Sequence, residues 1–198
     1  MEKETIKRIF EFLEEKEGKK HKDRDNFIWK LKFNEPLTKD DLVVNGDLDL
    51  TDSTLKSLPD NLEVKGGMLT RFSRIEELPK GLKVGGTLDL SYSRIKNIPD
   101  DIKIGNSLYL HNTKITSLPE GLKVGGSLSL VFADIESLPE GLKVGDILHL
   151  QRSKITSLPK GLEVKGELII KNTALLEYTN NELREMIKPG FIKGDIIR

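Results

Sequence analysis

Few residues of this chain are equipped for covalent chemistry. There is no cysteine, which removes disulfides, thiolate metal sites and cysteine nucleophiles. The three histidines, His21, His111 and His149, stand in no HExxH or comparable metal-ligand spacing. No phosphate-binding loop and no pair of carboxylates in an evident pocket appears. The recurring GLKVGG is a corner, since it repeats and precedes no helix. These absences lead to the expectation of a chain that is not an enzyme and carries no cofactor and no metal. What the chain does offer is recognition chemistry. Phe72, Tyr92, Tyr109 and Phe132, with Arg71, His111, His149 and Arg152, combine large rigid contact area with polar handles, the residue types that dominate binding hot spots.

A strict repeat positions these side chains. Prolines recur at Pro59, Pro79, Pro99, Pro119, Pro139 and Pro159, twenty residues apart each time, the signature of a stacked-repeat architecture. One unit reads LDLSYSRIKNIPDDIKIGNS (88–107) and the next LYLHNTKITSLPEGLKVGGS (108–127). Six complete units run without insertion, and a strand at Leu168 starts a turn that is not completed. Leu88 and Leu90 flank Asp89, the two-residue period of a short strand with one buried face. Ile95 and Ile98 return the chain to the core, and Pro99 fixes φ where regular pairing stops. Ile102 and Ile104 form a second alternating pair. Gly85–Gly86 and Gly125–Gly126 suit a sharp corner with positive φ. Six inward apolar side chains per twenty residues do not offset the ordering entropy of a lone turn, so turns must stack. Ser53, Ser73, Ser93, Thr113, Ala133, Ser153 and Thr173 occupy one position, read as an inward hydroxyl ladder that Ala133 breaks.

The element LxLxx(S/T)xIxxLP, as in LYLHNTKITSLP (108–119), resembles the leucine-rich-repeat family over roughly residues 42–175. The short period and the LP step are most similar to the bacterial subclass of injected effectors. The unit SLPEGLKVGGSLSL (117–130) resembles repeat proteins of bacterial genomes and phages. The family's Asn ladder is replaced here by Ser/Thr, and its first leucine by Gly or a polar residue. The resemblance implies a mainly β solenoid, a right-handed superhelix of short strands. Ubiquitin-ligase effectors of the similar class carry a separate catalytic cysteine domain, for which this chain has neither cysteine nor length.

The stack needs closed ends. Residues 1–41 are expected to be an N-terminal cap, with an amphipathic helix over 5–16 built on Ile6, Ile9, Phe10 and Leu13. A solvated loop follows over 17–26. FIWKLKF (27–33) fits a strand through Trp29, Leu31 and Phe33, or a helix through Phe27, Ile28 and Leu31. Thr38 with Asp41 resembles a capping box. Residues 42–175 form the solenoid, and 176–198 a helical C-terminal cap opened by Thr179 and Glu182 and stopped at Pro189–Gly190.

Lys plus Arg (32) equal Asp plus Glu (32), a balance that disfavours a general polyanion binder. No apolar run has the length of a signal sequence or a membrane span. A soluble, cytoplasmic protein of a bacterium or its host is expected, a monomer or weak dimer with no membrane attachment. Three columns face outward from the strand leucines. The central column runs from Asp49 through Asp89, Tyr109, Ser129 and His149. The next holds Arg71, Ser91, His111, Val131 and Gln151. The outer one holds Asp52, Phe72, Tyr92, Asn112, Phe132, Arg152 and Asn172. These vary at nearly every step, whereas structural positions hardly do, so they are free for a protein partner. The alternative is that the rings fold over the bend and cover neighbouring turns. Asp47, Asp49, Asp52 and Asp89 lie early along these columns; His149, Arg152 and Lys171 lie late. On the opposite side Lys83, Lys103, Lys123 and Lys143 form a ladder, read as a charged solvent face in preference to a nucleic-acid contact.

Overall fold

The computed structural model describes residues 23–198. Its core is a β-solenoid of two parallel sheets with eight strands in each. Every strand is two residues long. The first sheet contains Val43–Val44, Glu63–Val64, Lys83–Val84, Lys103–Ile104, Lys123–Val124, Lys143–Val144, Glu163–Val164 and Phe191–Ile192. The second contains Leu48–Asp49, Met68–Leu69, Leu88–Asp89, Leu108–Tyr109, Leu128–Ser129, Leu148–His149, Leu168–Ile169 and Ile196–Ile197. The chain visits the two sheets alternately, and equivalent residues of successive turns are partners: Leu88 lies against Leu108, and Leu128 against Leu108 and Leu148. The period read from the prolines is therefore the register.

Backbone hydrogen bonds carry each turn on its neighbour. The Leu88 and Leu90 N–H groups donate to the Ser107 and Tyr109 carbonyls at 2.9 Å, while Lys103 and Gly105 donate to Leu82 and Val84 at 3.1 and 2.8 Å. Between the sheets the core is filled by columns of identical position. Leu88, Leu90, Ile95, Ile98 and Ile104 are buried with their equivalents in other turns except Leu55, which like Ile102 is half-buried. The glycines at the corner serve a different need from the one expected. Gly85 and Gly125 do not have positive φ. A Cβ at Gly85 would stand 2.3 Å from the Lys65 carbonyl oxygen, and one at Gly125 2.0 Å from that of Gly105. It is close approach of the preceding turn that excludes a side chain there. Positive φ occurs one corner earlier, at Gly121 and Gly141.

The hydroxyl column is also not a ladder between turns. Thr113 Oγ1 and Thr173 Oγ1 donate to the carbonyls of Leu110 and Ile170, three residues back, at 2.9 and 2.7 Å. Ser53 Oγ accepts from the Leu55 N–H at 3.2 Å. The Ser73 and Ser153 hydroxyls have no partner. The link between turns is main chain: Arg74 N–H donates to the Ser53 carbonyl at 2.9 Å, and Asp134 N–H to that of Thr113 at 3.2 Å. At Ala133 the bend keeps its main-chain bond, the Ala133 N–H donating to the Leu130 carbonyl at 3.0 Å.

The C-terminal end departs from the expected helical cap, and much of the expected N-terminal cap falls outside the described residues. The helix anticipated over 5–16 lies outside the described residues. FIWKLKF belongs to a helix, α1 (Asp23–Phe33), which takes in the end of the segment read as loop. Phe27 is 1% exposed and joins the core at the first turn. The Trp29 and Phe33 rings lie 4.1 Å apart, at the four-residue helical spacing. Lys30 reaches Asp41 at 2.7 Å, and Asp41 exchanges hydrogen bonds with Thr38. The Lys30 ammonium and the Thr38 donors together hold the Asp41 carboxyl at about 2.

At the other end, helix α2 (Asn180–Met186) begins with the capping box between Thr179 and Glu182. It does not close the stack. The chain continues past it into Phe191–Ile192, which pairs with Glu163–Val164, and Ile196–Ile197, which pairs with Leu168–Ile169. The turn begun at Leu168 is thus completed with α2 inserted in it. Arg184 of α2 donates to the carbonyls of Ile192 and Gly194, along the outer side of the last strand of the first sheet.

Because each core residue touches its equivalents in two neighbouring turns, removing one affects three. Leu108→Ala, at a fully buried site, is expected to lower unfolding free energy by about 2–5 kcal/mol, read as a lower urea midpoint. A loss below about 1 kcal/mol would contradict the packing described.

Candidate functional site

The candidate surface is the outward face of the second sheet and the rim where its strands end. After each LxL element the chain makes a four-residue turn, closed by a main-chain bond in six turns and by the Thr113 hydroxyl at Leu110. Ser93 N–H donates to the Leu90 carbonyl at 3.1 Å, and Ala133 and Ser153 repeat the bond to Leu130 and Leu150 at 3.0 Å. The third residue of this turn has positive φ in every turn from the first to the seventh: 56° at Asp52, 54° at Phe72, 59° at Tyr92, 53° at Asn112, 56° at Phe132, 57° at Arg152 and 55° at Asn172. Glycine, Asn and Asp are the usual occupants of that conformation, because a bulky Cβ substituent crowds the following carbonyl. Asp52, Asn112 and Asn172 obey the rule. Phe72, Tyr92, Phe132 and Arg152 do not, and each carries strain of roughly 1–2 kcal/mol.

Those four side chains project into solvent in two pairs. The Phe72 and Tyr92 rings stack with centroids 4.9 Å apart and planes inclined by 20°. The Arg152 guanidinium lies 5.1 Å from the Phe132 ring centroid, a cation–π contact. Phe72, Tyr92 and Phe132 remain 56%, 48% and 49% exposed, so about half of each ring is open. Asn112 separates the pairs, making the shared aromatic surface two patches. Main-chain bonds fix the ridge: Tyr92 N–H donates to the His111 carbonyl at 2.9 Å and Phe132 N–H to that of Gln151 at 3.1 Å.

The central columns are less open than their sequence positions suggest. Asp89 (1% exposed), Ser91 and Ser129 point outward but are buried, with the larger Tyr109 and His149 at the neighbouring strand positions. Arg71 Nε donates to Asp89 Oδ2 at 2.5 Å, and Ser91 N–H to Asp89 Oδ1 at 3.0 Å. Tyr109 and His111 lie ring to ring at 5.7 Å, and His149 Nε2 is 3.3 Å from Gln151 Oε1. The His111 Nε2 and Ser129 Oγ atoms are enclosed without a hydrogen-bond partner. Burial is the main influence holding the His111 imidazole below the ordinary histidine range; Asp89 opposes it, and His149 and Arg71 reinforce it.

Arg71, Phe72, Tyr92, Tyr109, His111, Phe132, His149 and Arg152 are thus brought onto one side of the solenoid. Sequence reasoning overlooked the Arg71–Asp89 pair and the left-handed rim. Asp52, Asn112 and Asn172 at equivalent positions carried the signal for the rim. Among the described residues no cluster of three or more His, Asp or Glu is placed to hold a metal ion, and no helix is long and apolar enough to cross a membrane. On the first sheet, Lys83 and Lys143 are engaged by Glu63 and Glu163 at 3.4 and 2.7 Å; Lys103 and Lys123 have no ion pair among the described residues. Comparisons with protein-family models, with curated proteins and with solved structures find no match.

Replacing an exposed ring in a strained turn should be nearly free. Tyr92→Asn and Phe132→Asn are expected to stay within about 1 kcal/mol of the parent, strain relief offsetting the lost ring contact. A loss of about 3–5 kcal/mol, typical of core aromatics, would show that the rings are structural covers. His111 generates a pH dependence. Its folded-state pKa lies below the unfolded value of 6.5, so the unfolded chain binds the proton more readily and stability rises with pH. The contribution is complete above about pH 6.5 and is lost as pH falls through the folded value. The urea midpoint should therefore fall between about pH 7 and pH 5, and His111→Gln should flatten that part of the profile.

Proposed function

We propose that the chain is a non-catalytic protein-binding module that engages a macromolecular partner with the strand-side face of the second sheet. The contact set is Phe72, Tyr92, Tyr109, His111, Phe132 and Arg152, with Arg71 and His149 beside it. One observation carries the reading: four bulky residues hold a backbone conformation that Asn or Asp fills at lower energy in other turns, and three of them are half-open aromatics. Strain retained at exposed side chains whose stacking and cation–π contacts are with one another points to function at the site. Aromatic side chains and Arg on a rigid scaffold suit recognition because little side-chain entropy remains to be lost on binding. The resemblance to short leucine-rich repeats of bacteria and phages fits a module that engages and blocks a host or defence component.

The lysine ladder supports nucleic-acid binding less well. Two of its four lysines are neutralised by Glu63 and Glu163, and a phosphate-tracking surface depends on several uncompensated cations.

Affinity capture from the cell that produces the protein, with Tyr92→Ala and Phe132→Ala beside the wild type, tests the assignment. Each variant should weaken retention of the partner by roughly 5–30-fold. Equal retention by wild type and both variants rejects this surface.

A further inference from the structure

The rim is self-complementary. Counted outward from Asn112, one turn away on either side stand Tyr92 and Phe132, both half-open rings. Two turns away stand Phe72 and Arg152, an open ring face and a guanidinium. Three turns away stand Asp52 at one end and Asn172, with Lys171 beside it, at the other. Asp52, Phe72, Tyr92, Asn112, Phe132, Arg152 and Asn172 share the same left-handed turn conformation, so they project alike. Successive turns are spaced by about 4.8 Å, which makes the ridge roughly 29 Å long. A two-fold axis through Asn112, perpendicular to the ridge, would place a second copy antiparallel. Tyr92 would then meet Phe132 of the second copy, Phe72 would meet its Arg152, and Asp52 its Asn172, with Lys171 one residue away. A parallel arrangement sets Arg152 against Arg152 and Asp52 against Asp52, which like-charge repulsion opposes. Asp52 and Lys171 are exposed, and among the described residues neither side chain makes an ion pair or hydrogen bond within the chain.

On these grounds we infer that a second copy of this chain docks on the rim, face to face and antiparallel, about a dyad at Asn112. The inference rests on the strand-side face being the binding surface, and it names the partner. An interface of this kind is isologous, each contact occurring twice. A single ridge with its half-buried flank covers less than the ~800 Å² per partner of a standard interface, so the dimer is reversible and salt-sensitive.

Sedimentation equilibrium of the full chain, from about 5 to 500 µM, should show a monomer–dimer equilibrium that weakens between low salt and about 1 M salt. Asp52→Lys and Lys171→Asp, each alone, should weaken association at least about tenfold; the double variant should recover it. The absence of native cysteine allows a geometric readout. Under mild oxidant Asn112→Cys should give a covalent dimer. Asp52→Cys should not self-link but should link to Asn172→Cys in a mixture. A wild type that is monomeric throughout, with Asn112→Cys linking no faster than the exposed control Lys96→Cys, overturns the assignment. If Tyr92→Ala still releases a captured partner from that monomer, the face is right and the second copy wrong. A dimer unaffected by Tyr92→Ala and Phe132→Ala, together with capture equally unaffected, overturns both readings.

Discussion

Each turn of this solenoid hydrogen-bonds through its main chain to the next, at two short strand pairings and again around the bends, with equivalent positions of successive turns side by side. The strands are two residues long, so no single strand pairing is stable alone. The closeness this requires is visible at Gly85 and Gly125, where the preceding carbonyl occupies the place a Cβ would take. Once the turns are held at that distance, the leucine columns close over one another, and side chains twenty residues apart become neighbours. The rim, the lysine stripe and the buried Asp89 all follow from that enforced adjacency.

The same constraint explains why so much of the fold could be read in the sequence. An uninterrupted period of twenty has few physical outcomes other than stacked turns in register, and the inward positions announce themselves as Leu, Ile or Val in turn after turn. Backbone conformation at the rim is a different matter. The turn imposes the left-handed region on Phe72, Tyr92, Phe132 and Arg152 regardless of their intrinsic preference, so residue type at those four positions misleads, and only Asp52, Asn112 and Asn172 reveal the geometry. Burial on the outward face is likewise set by neighbours. Ser91 and Ser129 are short and stand beside Tyr109, His111 and His149, and a residue-by-residue reading does not show what leans over what.

The ends illustrate a second limit. FIWKLKF satisfies both periodicities, and its helical outcome is settled by packing, since Phe27 must reach the exposed core of the first turn. At the other end the twenty-residue period fails, and with it the means of seeing that Phe191–Ile192 and Ile196–Ile197 continue both sheets. Their apolar character was legible; their register was hidden by the intervening helix. The hydroxyl column misled for a related reason. A repeated polar residue suggests a shared network, yet Thr113 and Thr173 each bond within their own bend.

The position of helix α2 says something about how such a rod tolerates change. Glu163 and Phe191 are strand partners although twenty-eight residues separate them, eight more than the usual interval. The surplus is accommodated on the arc that leads from the second sheet back to the first, while both corners keep their alignment. Length on that arc is therefore a free variable of the architecture, whereas the tight link between Val84 and Leu88 is not. Extra loops, small helices or grafted peptides belong on the long arc, where added chain bulges sideways and the stacking of successive storeys is undisturbed.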